Sequence, residues 1–237
     1  MKSIIHRNNT RTKHDMGWIK ISASFRPDGE SSRIHFGTMV NFDDAEIIPG
    51  EQHGFGFHPH TDMEIVSLIL DGTMDHNDRE GNNRLIKAPA IQAISSGSGI
   101  LHNEVNGDNV PLNMLQIWFL PNKKGIKPNY GTLEFSESDF INKLKELVSP
   151  IKQNGKLNIS QNVRLSIGQF KENKNISYKL NNINNGVYLM VLEGTLNFDN
   201  ITLERRDAIA ITETSKISIQ TIEKDTKILI IEVDLQI

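Results

Sequence analysis

Residues 69–75 read ILDGTMD, and residues 191–197 read VLEGTLN. Apolar residues on both sides of an acidic-Gly-Thr turn are typical of two strands joined by a tight connection. A second echo follows in the same order, since residues 92–95 read QAIS and residues 209–212 read IAIT. Such echoes arise by chance in β proteins, but their shared order favours two copies of one β unit.

Short apolar runs dominate the chain between these echoes. Examples are residues 64–70 (EIVSLIL), 112–120 (LNMLQIWFL) and 227–233 (KILIIEV). They are too short for most helices and rich in β-branched residues, which favours strands. Turn signals separate them at Asp28-Gly29, Asp71-Gly72, Glu80-Gly81-Asn82, Asn106-Gly107-Asp108 and Asn154-Gly155. The pattern predicts an all-β fold, an antiparallel sandwich or barrel.

One segment has helical spacing. Its apolar residues recur every three or four positions, at Phe140, Ile141, Leu144, Leu147 and Val148. Ser136 and Ser138 can cap its start, and Pro150 stops it. We predict a short helix here, although the end of the run could equally begin a strand.

Composition restricts the function classes. The chain has 237 residues, 23% of them charged, a net charge of −3 and no cysteine. Disulfides, thiolate metal sites and a cysteine nucleophile are therefore excluded. The negative charge argues against direct contact with nucleic acid or an anionic membrane. The sequence has no signal-peptide pattern and no run of about 18 apolar residues, so we predict a cytoplasmic protein.

Two triplets carry the most specific chemistry, His58-Pro59-His60 and His102-Asn103-Glu104. Each places two metal-binding side chains two residues apart, and such residues share one face of a strand. If the two strands face each other, three imidazoles and one carboxylate converge on one point. The triplets therefore predict a mononuclear metal site.

The ligand set indicates the kind of metal chemistry. Neutral imidazole suits Fe, Ni, Cu, Zn and Co, and a carboxylate adds charge and hardness. Four protein ligands on an octahedral ion leave two positions for a chelating substrate and for dioxygen or water. A structural zinc site fits less well, because such sites usually contain cysteines.

Other polar residues near the triplets receive weaker interpretations. Glu64 follows His60 by four residues, and we prefer a supporting or surface carboxylate to a fifth ligand. His76 and Asp78 precede a turn, so hairpin stabilisation is the favoured role. The glycines of Gly97-Ser98-Gly99 are expected to form a tight turn or bulge that aims His102 inward, not a phosphate loop.

The second copy lacks the four ligands. Aligned on the echoes, it has Leu180 and Asn182 in place of His58 and His60, and Ile219 and Thr221 in place of His102 and Glu104. Only the first copy is then expected to bind metal.

Four stretches in the first half resemble the pirin family. They are residues 58–64 (HPHTDME), 70–78 (LDGTMDHND), 96–104 (SGSGILHNE) and 116–118 (QIW). The family usually has Ser where this chain has Asn103, a side chain expected to point away from the metal. The resemblance covers roughly residues 30 to 130 and is much weaker beyond them.

The resemblance implies a bicupin, two jelly-roll β-barrels with few short helices. Residues 1–135 would form the N-terminal metal-binding barrel and residues 136–237 a C-terminal barrel without metal ligands. The family's metal ligands correspond to His58, His60, His102 and Glu104. Family members have been associated with iron and with quercetin 2,3-dioxygenase activity, which opens the flavonol ring and releases carbon monoxide. Others act as transcriptional cofactors or as partners of metabolic enzymes.

Two function classes follow. In the first, the chain is a monomeric dioxygenase that binds one divalent ion, Fe(II) or alternatively Mn, Co, Ni, Cu or Zn. It would act on an aromatic small molecule such as a flavonol with O2, with Glu104 as ligand and as the base for the 3-hydroxyl. In the second, the chain is a non-enzymatic iron-binding regulatory protein that docks on a protein partner.

Overall fold

A computed structural model describes residues 1–27, 33–51 and 53–237 of the chain. The predicted turn at Asp28-Gly29 lies outside these ranges. The described part is built from strands and two single-turn 3-10 helices, Asn8–Thr10 and Glu137–Asp139. The all-β prediction is therefore confirmed. Neither helical turn is long and apolar enough to cross a membrane.

The strands of the first half run from the N-terminus to residue 134. They are β1 Lys2–His6, β2 Thr12–Asp15, β3 Ile19–Phe25, β4 Met39–Ile47, β5 Gly54–His60, β6 Glu64–Asp71, β7 Thr73–Asp78, β8 Asn83–Lys87, β9 Ala90–Ser95, β10 Ile100–Asn106, β11 Leu112–Phe119 and β12 Asn129–Glu134.

The strands of the second half begin after the 3-10 turn at residue 137. They are β13 Leu144–Ser149, β14 Leu157–Asn158, β15 Arg164–Phe170, β16 Asn175–Lys179, β17 Asn185–Glu193, β18 Leu196–Phe198, β19 Ile201–Leu203, β20 Ala208–Thr212, β21 Lys216–Thr221 and β22 Thr226–Asp234.

The strands form two jelly rolls, each built from one seven-stranded and one four-stranded sheet. In the first, the sheets have the orders β12-β9-β6-β11-β4-β3-β2 and β5-β10-β7-β8. In the second, the orders are β1-β20-β17-β22-β15-β13-β14 and β16-β21-β18-β19. The central five strands and all four strands of the small sheets correspond one to one, in chain order. The predicted duplication is thus visible in the topology.

The first strand crosses between the two halves. β1 pairs antiparallel with β20, from Lys2 opposite Thr212 to His6 opposite Ala208. The N-terminal strand therefore completes the large sheet of the second jelly roll. The division of the chain at residues 135 and 136 remains a prediction.

The main core lies between the two large sheets. It contains residues from both halves, including Leu115, Ile117, Met190, Leu229 and Ile231, all at most 2% exposed. Leu115 and Ile117 lie on β11, where successive side chains point to opposite faces of the sheet. Their neighbours on this strand therefore point the other way, into the first jelly roll. This alternation directs Gln116 and Trp118 toward the predicted site.

The predicted helix between residues 136 and 150 is wrong. Ser136 does cap a turn, but it is a single 3-10 turn, and Leu144–Ser149 is a strand paired with β15. Ile141, which the helical spacing placed on the apolar face, is 47% exposed. The sheet pairing and the burial of Leu147 and Val148 in the main core override the local helical spacing.

The predicted alignment of the two copies is wrong by two residues. In the small sheets His102 faces His58, and its counterpart Ile217 faces Tyr178. His76 opposite Glu104 corresponds to Phe198 opposite Ile219. Since an even shift keeps every side chain on its face, the second copy still has no histidine or carboxylate at these positions.

Candidate metal centre

Three of the predicted ligands meet between strands β5 and β10. His102 lies opposite His58 and Ile100 lies opposite His60 in an antiparallel ladder. The ring centroids are 4.4 Å apart for His58 and His102, 5.0 Å for His60 and His102, and 4.9 Å for His58 and His60. Their nearest ligand atoms all lie within 4.8 Å of one another. One ion placed among them would be within reach of all three imidazoles.

Glu104 lies beside this group. The β5–β10 pairing shifts register between His102 and Glu104, so that Glu104 lies opposite Phe55. Its carboxylate instead joins His76 and His102 in a second group whose ligand atoms lie within 4.8 Å of one another. His102 belongs to both groups and links the carboxylate to the three imidazoles.

The Glu104 carboxylate is held from the large sheet. Its Oε1 accepts a 2.7 Å hydrogen bond from Nε2 of Gln92, and its Oε2 accepts a 2.7 Å bond from Nε2 of Gln116. Glu104 is 1% exposed. Sequence reasoning missed both glutamines, because their neighbours along the chain belong to the core and only the folded sheets bring them to Glu104.

The hairpin role that the sequence analysis assigned to His76 does not fit its position in the structure. Its side chain is fully buried, opposite Glu104 in the β7–β10 pairing, and its ring stacks on Tyr130 at 4.6 Å. The hairpin role belongs to Asp78, whose carboxylate accepts bonds from the backbone of Glu80 and from the backbone and side chain of Asn82. The available signal was Met74, a buried apolar residue two positions before His76 and therefore on the same face of β7.

The environment lowers the pKa of two site imidazoles, His60 and His102. Desolvation on burial, followed by the neighbouring His58 and His76, lowers the pKa of His102 to about 3. Desolvation, followed by His102 and His58, lowers the pKa of His60 to about 4. A neutral imidazole offers the lone pair that a metal ion needs, so these histidines are ready to ligate without losing a proton.

The donor atoms fit a metal ion. Both ring nitrogens of His102 are buried and have no hydrogen-bond partner among the described residues. Such an unpaired buried polar group is costly unless a ligand fills the gap. Nδ1 of His58 lies 2.7 Å from the carbonyl oxygen of Gly56, which can only accept, so Nδ1 carries the proton and Nε2 keeps a free lone pair.

Aromatic side chains form the walls of the site. The ring of Trp118 lies 5.0 Å from His60, edge to face, and Phe55 lies 6.1 Å from His58. Tyr130, stacked on His76, has a buried hydroxyl group without a partner in the described part of the chain. Apolar walls with a few polar atoms are typical of pockets for aromatic small molecules.

A tight turn precedes β10, as expected from the glycines of Gly97-Ser98-Gly99. Gly97 has a φ of +45°, and a Cβ atom at this position would collide with the carbonyl oxygen of Ile126. Ser98 donates its backbone N–H to the same oxygen at 2.8 Å. The tight turn starts β10 in the register that points His102 inward.

Glu64 is a buried carboxylate that connects the two halves. It is 1% exposed and accepts a 2.5 Å hydrogen bond from Ser95. Its other oxygen accepts hydrogen bonds from the hydroxyl and the backbone N–H of Ser160 in the second half. Glu64 is therefore not a surface residue, and its contacts are structural.

Comparison with known proteins agrees with this architecture. A family model described as Pirin matches residues 19–119, and one described as Quercetinase C-terminal cupin domain matches residues 146–233. A Pirin-like protein of Caulobacter vibrioides is 30% identical over 219 residues, which are 91% of this chain and 93% of its own. A quercetin 2,3-dioxygenase of Escherichia coli is 28% identical over 231 residues, 96% of this chain and 97% of its own.

A solved structure shows the same fold. The bacterial pirin YhhW from Escherichia coli, in complex with nickel(II), superposes with a TM-score of 0.90 at 26% identity. The match covers 98% of this chain and 99% of that one. The two matched family models and the relatives that are similar over nearly their whole length establish the relationship. This chain belongs to the pirin family and has its bicupin fold.

Proposed function

We propose that this chain is a metal-dependent dioxygenase that opens the ring of a quercetin-like flavonol with O2 and releases carbon monoxide. The observation that carries the proposal is the convergence of His58, His60 and His102 in a partly buried site with aromatic walls. The name of the Escherichia coli relative, quercetin 2,3-dioxygenase, supports the same reaction class.

The proposed cofactor is one divalent ion, Fe(II), held by His58, His60 and His102 with Glu104 as a fourth ligand. Nickel is bound in the pirin YhhW, imidazole ligands also suit Co, Cu and Zn, and the carboxylate suits Mn. When bound, the ion would lower the pKa of a coordinated hydroxyl group and supply adjacent positions for the substrate and O2.

The protein residues would orient the substrate and move its proton. Glu104 lies within ligand distance of His102 and is the carboxylate of the site, so it is the proposed base for the flavonol 3-hydroxyl. Trp118 and Tyr130, beside His60 and His76, would pack against the flavonol rings. Their apolar surfaces would also keep water from the reacting carbon atoms.

Oxygen uptake tests this proposal directly. The purified protein is reconstituted anaerobically with Fe(II) and mixed with quercetin and O2, beside a His58→Ala control. We expect O2 consumption, loss of the flavonol absorbance and release of carbon monoxide, all absent in the control. No uptake by protein shown to carry its iron would overturn the proposed activity on quercetin and favour another substrate or the regulatory role.

A further inference from the structure

We infer that Gln92 and Gln116 are positioning residues of the metal centre, which act through Glu104. This inference rests on the proposed metal site but not on the identity of its substrate. The two side-chain amides hold the two oxygens of the carboxylate, each at 2.7 Å. They would fix the direction from which Glu104 approaches the ion.

The two amides give each oxygen of Glu104 one hydrogen-bond donor. Each N–H2 group can only donate, so both carboxylate oxygens are acceptors in these bonds. Gln92 is fully buried and Gln116 is 9% exposed, so water competes little for the bonds. Every carboxylate oxygen retains a second lone pair, and the clamp therefore leaves room for an ion.

The clamp is built across the large sheet. Gln92 on β9 pairs with Ser67 on β6, and Ser67 pairs with Gln116 on β11. The three residues form one polar row on the inner face of the sheet, opposite Glu104 on the small sheet. Since the row crosses three paired strands, its position is fixed by the backbone ladder and not by a flexible loop.

The second jelly roll, which has no histidine or carboxylate ligands, has a different set of residues in the corresponding row. The corresponding cross-strand row is Ile209, Leu189 and Ile230, and Ile219 stands in place of Glu104. All four are at most 4% exposed. The scaffold is thus filled by apolar side chains when it needs only packing. Buried polar groups are costly in comparison, so the polar row of the first jelly roll indicates a functional requirement.

Trp118 sets the orientation of one amide. Its Nε1–H donates a 3.1 Å hydrogen bond to Oε1 of Gln116, so Nε2 of that amide is turned toward Glu104. A reversed amide would place two acceptors against each other and lose both bonds. Gln92 has no such support, because its Oε1 is buried without a partner in the described residues.

Co(II) titration of the apo-protein tests the inference without any substrate. The variants are Gln92→Met and Gln116→Met, which keep the length of the side chain and remove its donor. Each should weaken Co(II) binding by about tenfold, the lower end of what removing a supporting partner usually costs. Each should also change the visible Co(II) spectrum, which reports the ligand set. Ser67→Ala, in the same row but without a contact to Glu104, is the matched control and should match the wild type in both.

The same substitutions in a Glu104→Gln protein distinguish an effect through the carboxylate from an effect on core packing. In Glu104→Gln protein, the two Gln→Met substitutions should have no further effect on Co(II) affinity, because the carboxylate through which they act is absent. Equal losses in both backgrounds, or unchanged affinity and spectrum in the wild-type background, would overturn the inference. If the wild type itself binds no Co(II), the metal centre fails and the inference fails with it.

Trp118→Phe covers the case in which a Gln→Met variant does not fold. It keeps an aromatic wall beside His60 and removes only the donor to Gln116. We expect a smaller loss of Co(II) affinity than in Gln116→Met, and again none in the Glu104→Gln background. A loss that persists without the carboxylate would contradict the role assigned to Gln116.

Discussion

His102 lies directly opposite His58 in the β5–β10 ladder, with their ring centroids 4.4 Å apart. A pair of imidazoles this close leaves little space for water between them, and both ring nitrogens of His102 lack partners among the described residues. The geometry is poor for a metal-free core and good for a ligand pair.

Replacing His102 should separate stability from metal binding. We expect His102→Leu to lower Co(II) affinity by more than about 100-fold, since it removes a ligand and not only its support. The metal-free variant should unfold at a temperature no lower than the wild type, because it no longer buries two unpaired nitrogens. Co(II) titration and thermal unfolding of the metal-free proteins measure the two effects. A large drop in the unfolding temperature would mean that His102 has a packing role of its own.

The lowered pKa values predict acid sensitivity of the metal-free protein. His60 and His102 have pKa values of about 4 and about 3 when folded, below the ordinary value of about 6.5. Between these values the unfolded chain binds protons that the folded chain does not, so the free energy of unfolding decreases as the pH falls. Urea unfolding at about pH 7 and about pH 4.5 should show this loss.

The matched variants for the acid sensitivity are His102→Leu and His35→Asn. The first removes a buried imidazole and should lose less stability on acidification than the wild type. The second removes an exposed histidine and should behave like the wild type. Identical acid sensitivity in all three proteins would show that the His102 imidazole does not contribute to it.

Glu104→Gln should abolish turnover and retain part of the metal binding. The amide keeps a neutral oxygen that can still ligate, but it cannot take the proton of a flavonol hydroxyl. We expect part of the iron content to remain while quercetin turnover is lost. Iron content and O2 uptake are measured on the same sample, and full turnover in this variant would remove Glu104 as the base.

The β7–β8 hairpin should depend on Asp78 and not on His76. Asp78→Ala removes a carboxylate that accepts three hydrogen bonds from Glu80 and Asn82, and should cost about 1–3 kcal/mol of unfolding free energy. His76→Phe keeps a ring against Tyr130 and the three bonds to Asp78, and it removes only the longer 3.4 Å contact between Nε2 of His76 and the Asp78 carboxylate. Urea unfolding compares the two, and a greater loss in His76→Phe would reverse the assignment.

The Glu64–Ser160 contact should contribute to stability without affecting the metal centre. Ser160→Ala removes a hydroxyl donor from a buried carboxylate and should destabilise the protein by about 1–3 kcal/mol. Its Co(II) affinity should equal that of the wild type. Reduced Co(II) affinity in this variant would mean that the contact between the two halves also shapes the site.

The fold class, the duplication and the shared strand face of His58 and His60 could all be predicted from the amino-acid sequence. These are local properties, since a period of two, a turn signal and an echoed strand pair depend only on neighbouring residues. The family resemblance in the first half is confirmed for the same reason, because its motifs are continuous stretches of sequence.

The features that depend on which strands pair with one another could not be predicted in this way. Leu144–Ser149 is a strand despite its helical spacing, because it pairs with β15. The N-terminal strand β1 belongs to the second jelly roll, because it pairs with β20. Packing of the small sheet against the large sheet brought the Glu104 carboxylate to Gln92 and Gln116. A ladder register is set by contacts between distant segments and by the core that they bury together, so no local pattern could specify it.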